Sequence, residues 1–132
     1  MEKKLEDDNY CFVCGEQNPY GLHLTFSLHE GSAVTEFIPQ KIHQGYKDIV
    51  HGGIISTLLD ETMVKAALLQ GIPAITAEIT VRFLKPLIVG EKVIIEASIT
   101  TMNKKIIETS ARMRKTDNTL VAEGHAKLLR QD

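Results

Sequence analysis

The chain has 132 residues, of which 43% are hydrophobic and 24% charged, and this suits one globular domain without internal repeats or low-complexity tracts. Its formal net charge is −2 and it has no broad basic run, so we expect no nucleic-acid partner. The first residues lack the apolar core of a signal peptide and no apolar run reaches membrane-spanning length, so we expect a cytoplasmic protein with no membrane partner.

Residues 1–21 are predicted to form an N-terminal extension, and residues 22–132 the main domain. The extension carries a C-x2-C pair, Cys11 and Cys14, which are the only two cysteines of the chain. Two thiolates are too few for a four-thiolate metal site, and the segment lacks the strand–helix context of a thioredoxin motif. A four-thiolate site would need a second subunit, and a two-thiolate site would need help from a histidine: His23, His29 or His43. We therefore expect no metal and no cofactor, and a reduced, packed segment whose role the sequence leaves open.

Alternating apolar residues predict two short strands after the extension. The first is predicted from Leu22 to Leu28, with an apolar side chain at every second position. The second runs from Ala33 to Ile38, and a turn at Gly31-Ser32 connects them.

The segment His51-Gly52-Gly53 opens a mostly apolar helix. The first backbone N–H groups of a helix have no intrahelical partners, and small residues there allow a polar ligand to come close to them. A negative or polarised oxygen would bind well at this position. Asp60 follows about 12 Å along the helix axis, within the span of a substrate whose carbonyl sits at the helix start. The donor and the carboxylate are therefore predicted to serve one site.

One broad apolar face of this helix is predicted to pack on the core. That face comprises Ile54, Ile55, Leu58, Leu59, Thr62, Met63, Ala66 and Leu69. Asp60 lies on the opposite side, together with small or apolar residues rather than the Lys/Glu mixture of a solvated surface, so we expect something to cover it. The residues that share this side are Gly53, Ser56, Thr57, Val64 and Ala67. Glu61 lies one turn before Lys65, which predicts an ion pair rather than a catalytic role.

Four further strands are predicted after the helix, arranged as a meander. Their alternating segments are 77–84, 93–100, 107–113 and 121–128. The last segment has Ala122, Gly124 and Ala126 on one face, which indicates that a helix lies close to the sheet. One helix cannot cover both faces of a six-stranded antiparallel sheet, but a sheet that curls can wrap it with one face. The prediction is an α+β fold in which an antiparallel sheet wraps one long central helix.

The motif His51-Gly52-Gly53, followed after six residues by Asp60, resembles that of the hotdog-fold acyl-CoA thioesterases. It is most similar to the group related to the phenylacetic-acid-pathway and hydroxybenzoyl-CoA enzymes. The segments 83–86 and 90–91 resemble the strand-and-turn signature that follows the helix in that family. The resemblance covers roughly residues 20–130 and implies the hotdog fold.

The resemblance also implies roles for individual residues. The Gly52 N–H would polarise the thioester carbonyl, and Asp60 would be the nucleophile or the general base that directs water, without a metal. His51 would shape the loop before the helix and, with Gly53, contact the substrate. Many relatives have Asn or Gln six residues before the histidine to hold the water or the thioester. This chain has Gly45 there, so Gln44 is predicted to contact the substrate instead. Some relatives carry a hydroxyl one turn after the acid, and this chain has Val64 there.

The activity that follows from the resemblance is hydrolysis of an acyl-CoA to a free acid and CoA by a homodimer or homotetramer. The sequence does not specify the acyl group. A non-catalytic acyl-CoA-binding module would keep the same pocket without the chemistry of Asp60. Hotdog dehydratases and hydratases are a further alternative, although their usual pairing of a histidine with an acid is not evident here.

Overall fold

The computed structural model describes residues 5–132, so the first four residues of the expected extension lie outside it. Its elements follow the predicted order of two strands, one helix and four strands. They are β1 (Ser27–His29), β2 (Ser32–Phe37), a 3-10 turn (Lys41–His43), α1 (Gly52–Leu68), β3 (Ala74–Phe83), β4 (Val93–Met102), β5 (Ile106–Lys115) and β6 (Leu120–Arg130).

All six strands form one sheet in the order β1-β2-β4-β5-β6-β3, and every neighbouring pair is antiparallel. The predicted four-strand meander is correct only for β4, β5 and β6. Although β3 is the first strand after the helix, it lies at an edge of the sheet and pairs with β6 alone among the described residues. The 17-residue helix α1 packs against five of the strands, β2 to β6. This is the hotdog arrangement, and the fold prediction is confirmed.

The core lies between α1 and the sheet, where the helix and the last strand come close together. Leu58, Leu59 and Met63 are completely buried. A Cβ placed on Gly124 of β6 would lie 3.3 Å from Met63 Cε and 3.6 Å from Leu59 Cβ. The small residues of the last strand therefore mark the closest approach of helix and sheet, as predicted.

Two helical positions differ from the predicted apolar face. Leu69, expected in the core, is 40% exposed, because the helix ends at Leu68 and Leu69 is its C-cap. Ala67, expected on the opposite side, is fully buried. The chain folds back over it, since the N–H groups of Gln70 and Ile72 both donate to the Ala67 carbonyl.

The first strand is shorter than predicted, because the preceding residues bond to the N-terminal segment instead of the sheet. The Leu22 N–H donates to the Phe12 carbonyl at 2.8 Å, and the Leu24 N–H donates to the Val13 carbonyl at 2.9 Å. Only Ser27–His29 then remains to pair with β2. The extension is thus joined to the main domain by backbone hydrogen bonds.

Strand β3 contains a bulge, because its register against β6 shifts between Thr76 and Glu78. A bulge inserts one extra residue, so the alternation of side chains changes phase there. As a result, residues on either side of it that would face opposite ways in a regular strand share a face. Within residues 5–132, no helix is long and apolar enough to cross a membrane.

Candidate active site

The start of α1 presents one backbone donor without a partner. His51 is the N-cap, and its Nδ1 accepts the Gly53 N–H at 2.8 Å. The His51 carbonyl accepts from Ile54 and Ile55 at 3.0 and 3.3 Å. The Gly52 N–H has no acceptor among residues 5–132. Because an N-cap satisfies only some of the first N–H groups, this donor is available to a ligand.

An open cleft of about 470 Å³ adjoins this donor. It is lined by Gly45, Tyr46, Ile49, Val50, His51 and Gly52. The Phe83 ring lies on another side of the helix start, where its Cε1 would be 3.4 Å from a Cβ on Gly52. Tyr46 and Phe83 are both largely exposed, at 86% and 55%. The free N–H is therefore bordered by apolar and aromatic surface, as expected of a small-molecule site.

The loop before the helix is held by its own hydrogen bonds. Gln44, predicted to contact substrate, accepts the Asp48 N–H with its Oε1 at 3.1 Å, so only its amide nitrogen is uncommitted. The His51 N–H donates to the His43 carbonyl at 2.9 Å. Burial lowers the pKa of His43, and its Nδ1 accepts the Gln40 N–H at 2.9 Å. These bonds fix the position of His51 before the helix begins.

Asp60 is half-buried and is bonded by a residue that the sequence analysis missed. The Thr76 hydroxyl on β3 donates to Asp60 Oδ1 at 2.6 Å, and no donor among the described residues bonds Oδ2. Thr76 and Phe83 are seven positions apart, so a regular strand would put them on opposite faces. The bulge places both against α1, where Thr76 meets Asp60 and Phe83 meets Gly52.

Gly52 and Asp60 of one chain do not converge on one carbonyl. Both belong to one continuous helix, and eight residues at 1.5 Å each separate them by about 12 Å. The N–H groups at a helix start also point away from the helix body, which moves a bound oxygen further from Asp60. A carboxylate that attacks that carbonyl must come within about 3 Å of it, and one that acts as a base must hydrogen-bond a water at that distance. The single chain therefore supplies the two groups at separate places.

Glu61 lies beside Asp60 in sequence but contacts the N-terminal segment. Its Oε1 is 3.8 Å from Lys65 Nζ, which confirms the predicted ion pair. The same oxygen is 3.9 Å from Cys11 Sγ and 3.8 Å from Cys14 Sγ. Burial raises the pKa of Glu61, and burial together with the Cys11 hydrogen bond raises the pKa of Cys14 to about 11. No sequence pattern predicts this contact, because Glu61 is 50 positions from Cys11.

Gly52, Asp60, Thr76 and Phe83 fall within a segment matched by a family model. The model of the thioesterase superfamily matches residues 47–122. The chain is also 27% identical over 107 residues to acyl-coenzyme A thioesterase 13 of Homo sapiens, covering 78% of this chain and 76% of that protein. A protein of Archaeoglobus fulgidus whose name describes an esterase is 28% identical over 95 residues; the match covers 72% of this chain but only 62% of that relative.

Several solved structures share this fold. A thioesterase superfamily protein has a TM-score of 0.86 at 20% identity, covering 92% of this chain and 60% of that chain. The E. coli PaaI protein of the phenylacetic acid degradation operon has a TM-score of 0.78 at 23% identity, covering 84% and 81%. A hypothetical thioesterase of Streptococcus pneumoniae, solved with coenzyme A, has a TM-score of 0.77 at 14% identity, covering 82% and 85%.

Proposed function

Because this chain belongs to the thioesterase superfamily, we propose that it hydrolyses the thioester bond of an acyl-CoA to give a free acid and CoA. The free Gly52 N–H at the start of α1 is the observation that carries this proposal. A fixed donor aimed at a carbonyl oxygen stabilises the negative charge that develops there when a thioester is attacked. The name of the human relative and the coenzyme A bound to the Streptococcus pneumoniae protein support an acyl-CoA as the substrate.

The second group in this reaction is the carboxylate of Asp60, with one oxygen held by Thr76. As a general base, Asp60 takes a proton from water while the water oxygen bonds to the carbonyl carbon. As a nucleophile, it bonds to that carbon itself, and water then cleaves the resulting anhydride. In both routes the carbon–sulfur bond breaks, and the CoA sulfur leaves as a thiolate that takes up a proton.

Since one helix separates Gly52 from Asp60 by about 12 Å, we propose that each site combines Gly52 of one copy with Asp60 of a second. The edge strand β3 supports this pairing. Gly52 lies against Phe83 near the end of β3, whereas Asp60 is bonded to Thr76 near its start. Two copies of β3 paired antiparallel about a two-fold axis would bring Phe83 of one copy beside Thr76 of the other.

The exposed surface of β3 fits such an interface. Its free edge would otherwise offer unpaired backbone groups to solvent. Ile75, Ile79 and Phe83 are 43%, 37% and 55% exposed in the single chain. We propose a homodimer through this edge as the smallest active assembly.

The remaining candidate residues have supporting roles in this proposal. His51 holds the Gly53 N–H and so leaves the Gly52 N–H as the donor that faces the cleft. Gln44 closes the loop through its oxygen and has its amide nitrogen available for a substrate oxygen. These roles make the loop a fixed platform for the acyl-CoA.

The first test replaces Asp60 with Asn, which keeps the shape but removes the basic or nucleophilic oxygen. We expect Asp60→Asn to fold like the wild type and to lose at least about a hundredfold in kcat on a panel of acyl-CoAs. The measurement is release of free CoA thiol for short, long and aromatic acyl groups.

Asp117→Asn is the matched control, because Asp117 is exposed on the turn between β5 and β6, where Asn can still accept the Thr119 N–H. It should hydrolyse the same acyl-CoA at the wild-type rate. Wild-type protein that binds acyl-CoAs without releasing thiol would contradict the proposal and favour a binding module instead. Full activity in Asp60→Asn would contradict the role of Asp60.

A further inference from the structure

Three side chains that commonly bind metals meet where the N-terminal segment contacts α1. Cys11 Sγ, Cys14 Sγ and a Glu61 oxygen all lie within 4.8 Å of one another. The two Sγ–Oε1 distances are 3.9 and 3.8 Å. In a tetrahedral zinc site, bonds of about 2.3 Å to sulfur and about 2.0 Å to oxygen put ligand atoms roughly 3.5–3.8 Å apart. The three atoms are therefore already near the spacing that a zinc ion requires.

The turn that carries the cysteines is shaped to hold a thiolate. The N–H groups of Val13 and Cys14 point at Cys11 Sγ, at 3.4 and 3.5 Å. These two donors orient the sulfur at the turn. The turn closes with the Gly15 N–H donating to the Cys11 carbonyl at 2.9 Å. A Cβ on Gly15 would lie 2.4 Å from the Cys11 nitrogen, so only glycine fits this tight turn.

From this geometry we propose that Cys11, Cys14 and Glu61 bind a zinc ion that fastens the N-terminal segment to α1. From the sequence, the two cysteines alone offer too few ligands for a metal. In this proposal Glu61 of α1 supplies the third ligand, so no histidine is required. The site opens into a cleft of about 530 Å³ that both cysteines and Glu61 line. Water from this cleft can occupy the fourth position of the tetrahedron.

The charges of the three ligands, the zinc ion and Lys65 sum to zero. Two thiolates and one carboxylate carry three negative charges, and Zn²⁺ together with Lys65 carries three positive charges. Lys65 is held in place, since its Nζ is 3.8 Å from Glu61 Oε1 and 5.6 Å from the centre of the Phe26 ring. Binding displaces the proton of each thiol to solvent, so zinc affinity should fall as the pH is lowered.

A bound metal would stabilise this segment, because the segment buries few apolar side chains of its own. Val13 is buried, but Tyr10 and Phe12 are 55% and 46% exposed. A metal that binds the folded segment and not the unfolded one lowers the free energy of the folded state. The proposed role is structural, and it does not depend on the hydrolytic activity proposed above.

The test is zinc and cobalt binding by the reduced full-length chain, with Cys14→Ser and Glu61→Gln as variants. We expect stoichiometric zinc by mass spectrometry in the wild type after free metal is removed, and loss of that zinc in Cys14→Ser. Glu61→Gln should weaken zinc affinity by more than about tenfold in a chelator competition. Bound Co²⁺ should give the thiolate charge-transfer band and the intense visible bands of a tetrahedral site.

Glu16→Gln is the control, since Glu16 is exposed beside the same turn and should bind zinc like the wild type. Absence of the thiolate-to-cobalt band in the wild type would overturn the proposal even if a variant failed to fold. Equal zinc binding by Cys14→Ser and wild type would overturn it as well. Unchanged affinity in Glu61→Gln would contradict the three-ligand site. None of these readouts involves thioester hydrolysis, so the two proposals fail separately.

Discussion

At the scale of single residues, the bond between Thr76 and Asp60 orients the carboxylate. One oxygen accepts the Thr76 hydroxyl at 2.6 Å, and no donor among the described residues bonds the second. Thr76 does not touch the reacting atoms in the proposed mechanism, so it acts as a positioning residue. A carboxylate free to rotate would meet water or substrate less often in a productive orientation.

We expect Thr76→Val to lower kcat by about tenfold, because hydrogen bonds to charged groups are typically worth more than a kilocalorie per mole. KM for the acyl-CoA should change much less. Thr76→Ser keeps the hydroxyl and should recover most of the lost rate. Steady-state kinetics of the three proteins test this, and equal losses in the Val and Ser variants would indicate a packing role instead.

The sequence could place residues correctly in the structure where the signal is local. Gly52 and Asp60 belong to one helix, and the Glu61–Lys65 ion pair spans one turn, so spacing alone places them. Thr76 was missed because a bulge changes which strand residues face the helix, and alternation cannot show a bulge. The contact of Glu61 with the cysteines was missed because it depends on how the N-terminal segment folds back.

At the scale of the elements, α1 and β6 pack closely because β6 has glycine and alanine where the helix crosses it. The Gly124 position leaves 3.3 Å between an added Cβ and Met63 Cε. The Met63 terminus is flexible and can yield to one methyl group. Leu59 is fully buried and has no room to move away from a larger side chain.

Gly124→Val should therefore lower the free energy of unfolding by about 1–3 kcal/mol through overpacking. His125→Val is the control, because His125 is on the opposite, exposed face of the same strand. This substitution should lower the free energy of unfolding by less than about 0.5 kcal/mol. Urea unfolding, monitored by circular dichroism, measures the stability of both variants and of the wild type. If the two variants were equally stable, the helix and β6 would not be in close contact.

Element order and the single long helix follow from periodicity, and both were predicted correctly. The first strand was predicted too long. The alternation of apolar and polar residues around Leu22 and Leu24 indicates which side chains are buried, but it does not indicate which segment their backbone bonds to. Those residues bond to the N-terminal segment. Periodicity does not distinguish a sheet partner from any other extended partner, so such boundaries require the structure.

At the scale of the whole molecule, the two halves of the proposed site lie near opposite ends of the edge strand β3. Antiparallel pairing of two such edges would make two sites, each with Gly52 from one copy and Asp60 from the other. The pairing of strands within one chain does not reveal this arrangement. The proposal of a shared site rests instead on the helix length, because about 12 Å separates the two groups in a single copy.

Complementation between two inactive chains tests this shared site most directly. Gly52→Pro removes the donor at the first helical position, where proline is tolerated, and His51 already has the extended φ −61° and ψ 133° that suit a residue before proline. Gly52→Ala keeps the N–H and is its control. Asp60→Asn removes the carboxylate. The two inactive chains are co-expressed with different tags, and the mixed dimer is isolated through both.

In a shared site, the mixed dimer has one doubly altered site and one intact site. We predict that it recovers about half of the wild-type kcat per dimer, although each parent is inactive. Gly52→Ala should stay active by itself. If a mixed dimer were as inactive as its two parents, Gly52 and Asp60 would have to act within one chain, and that result would contradict the account.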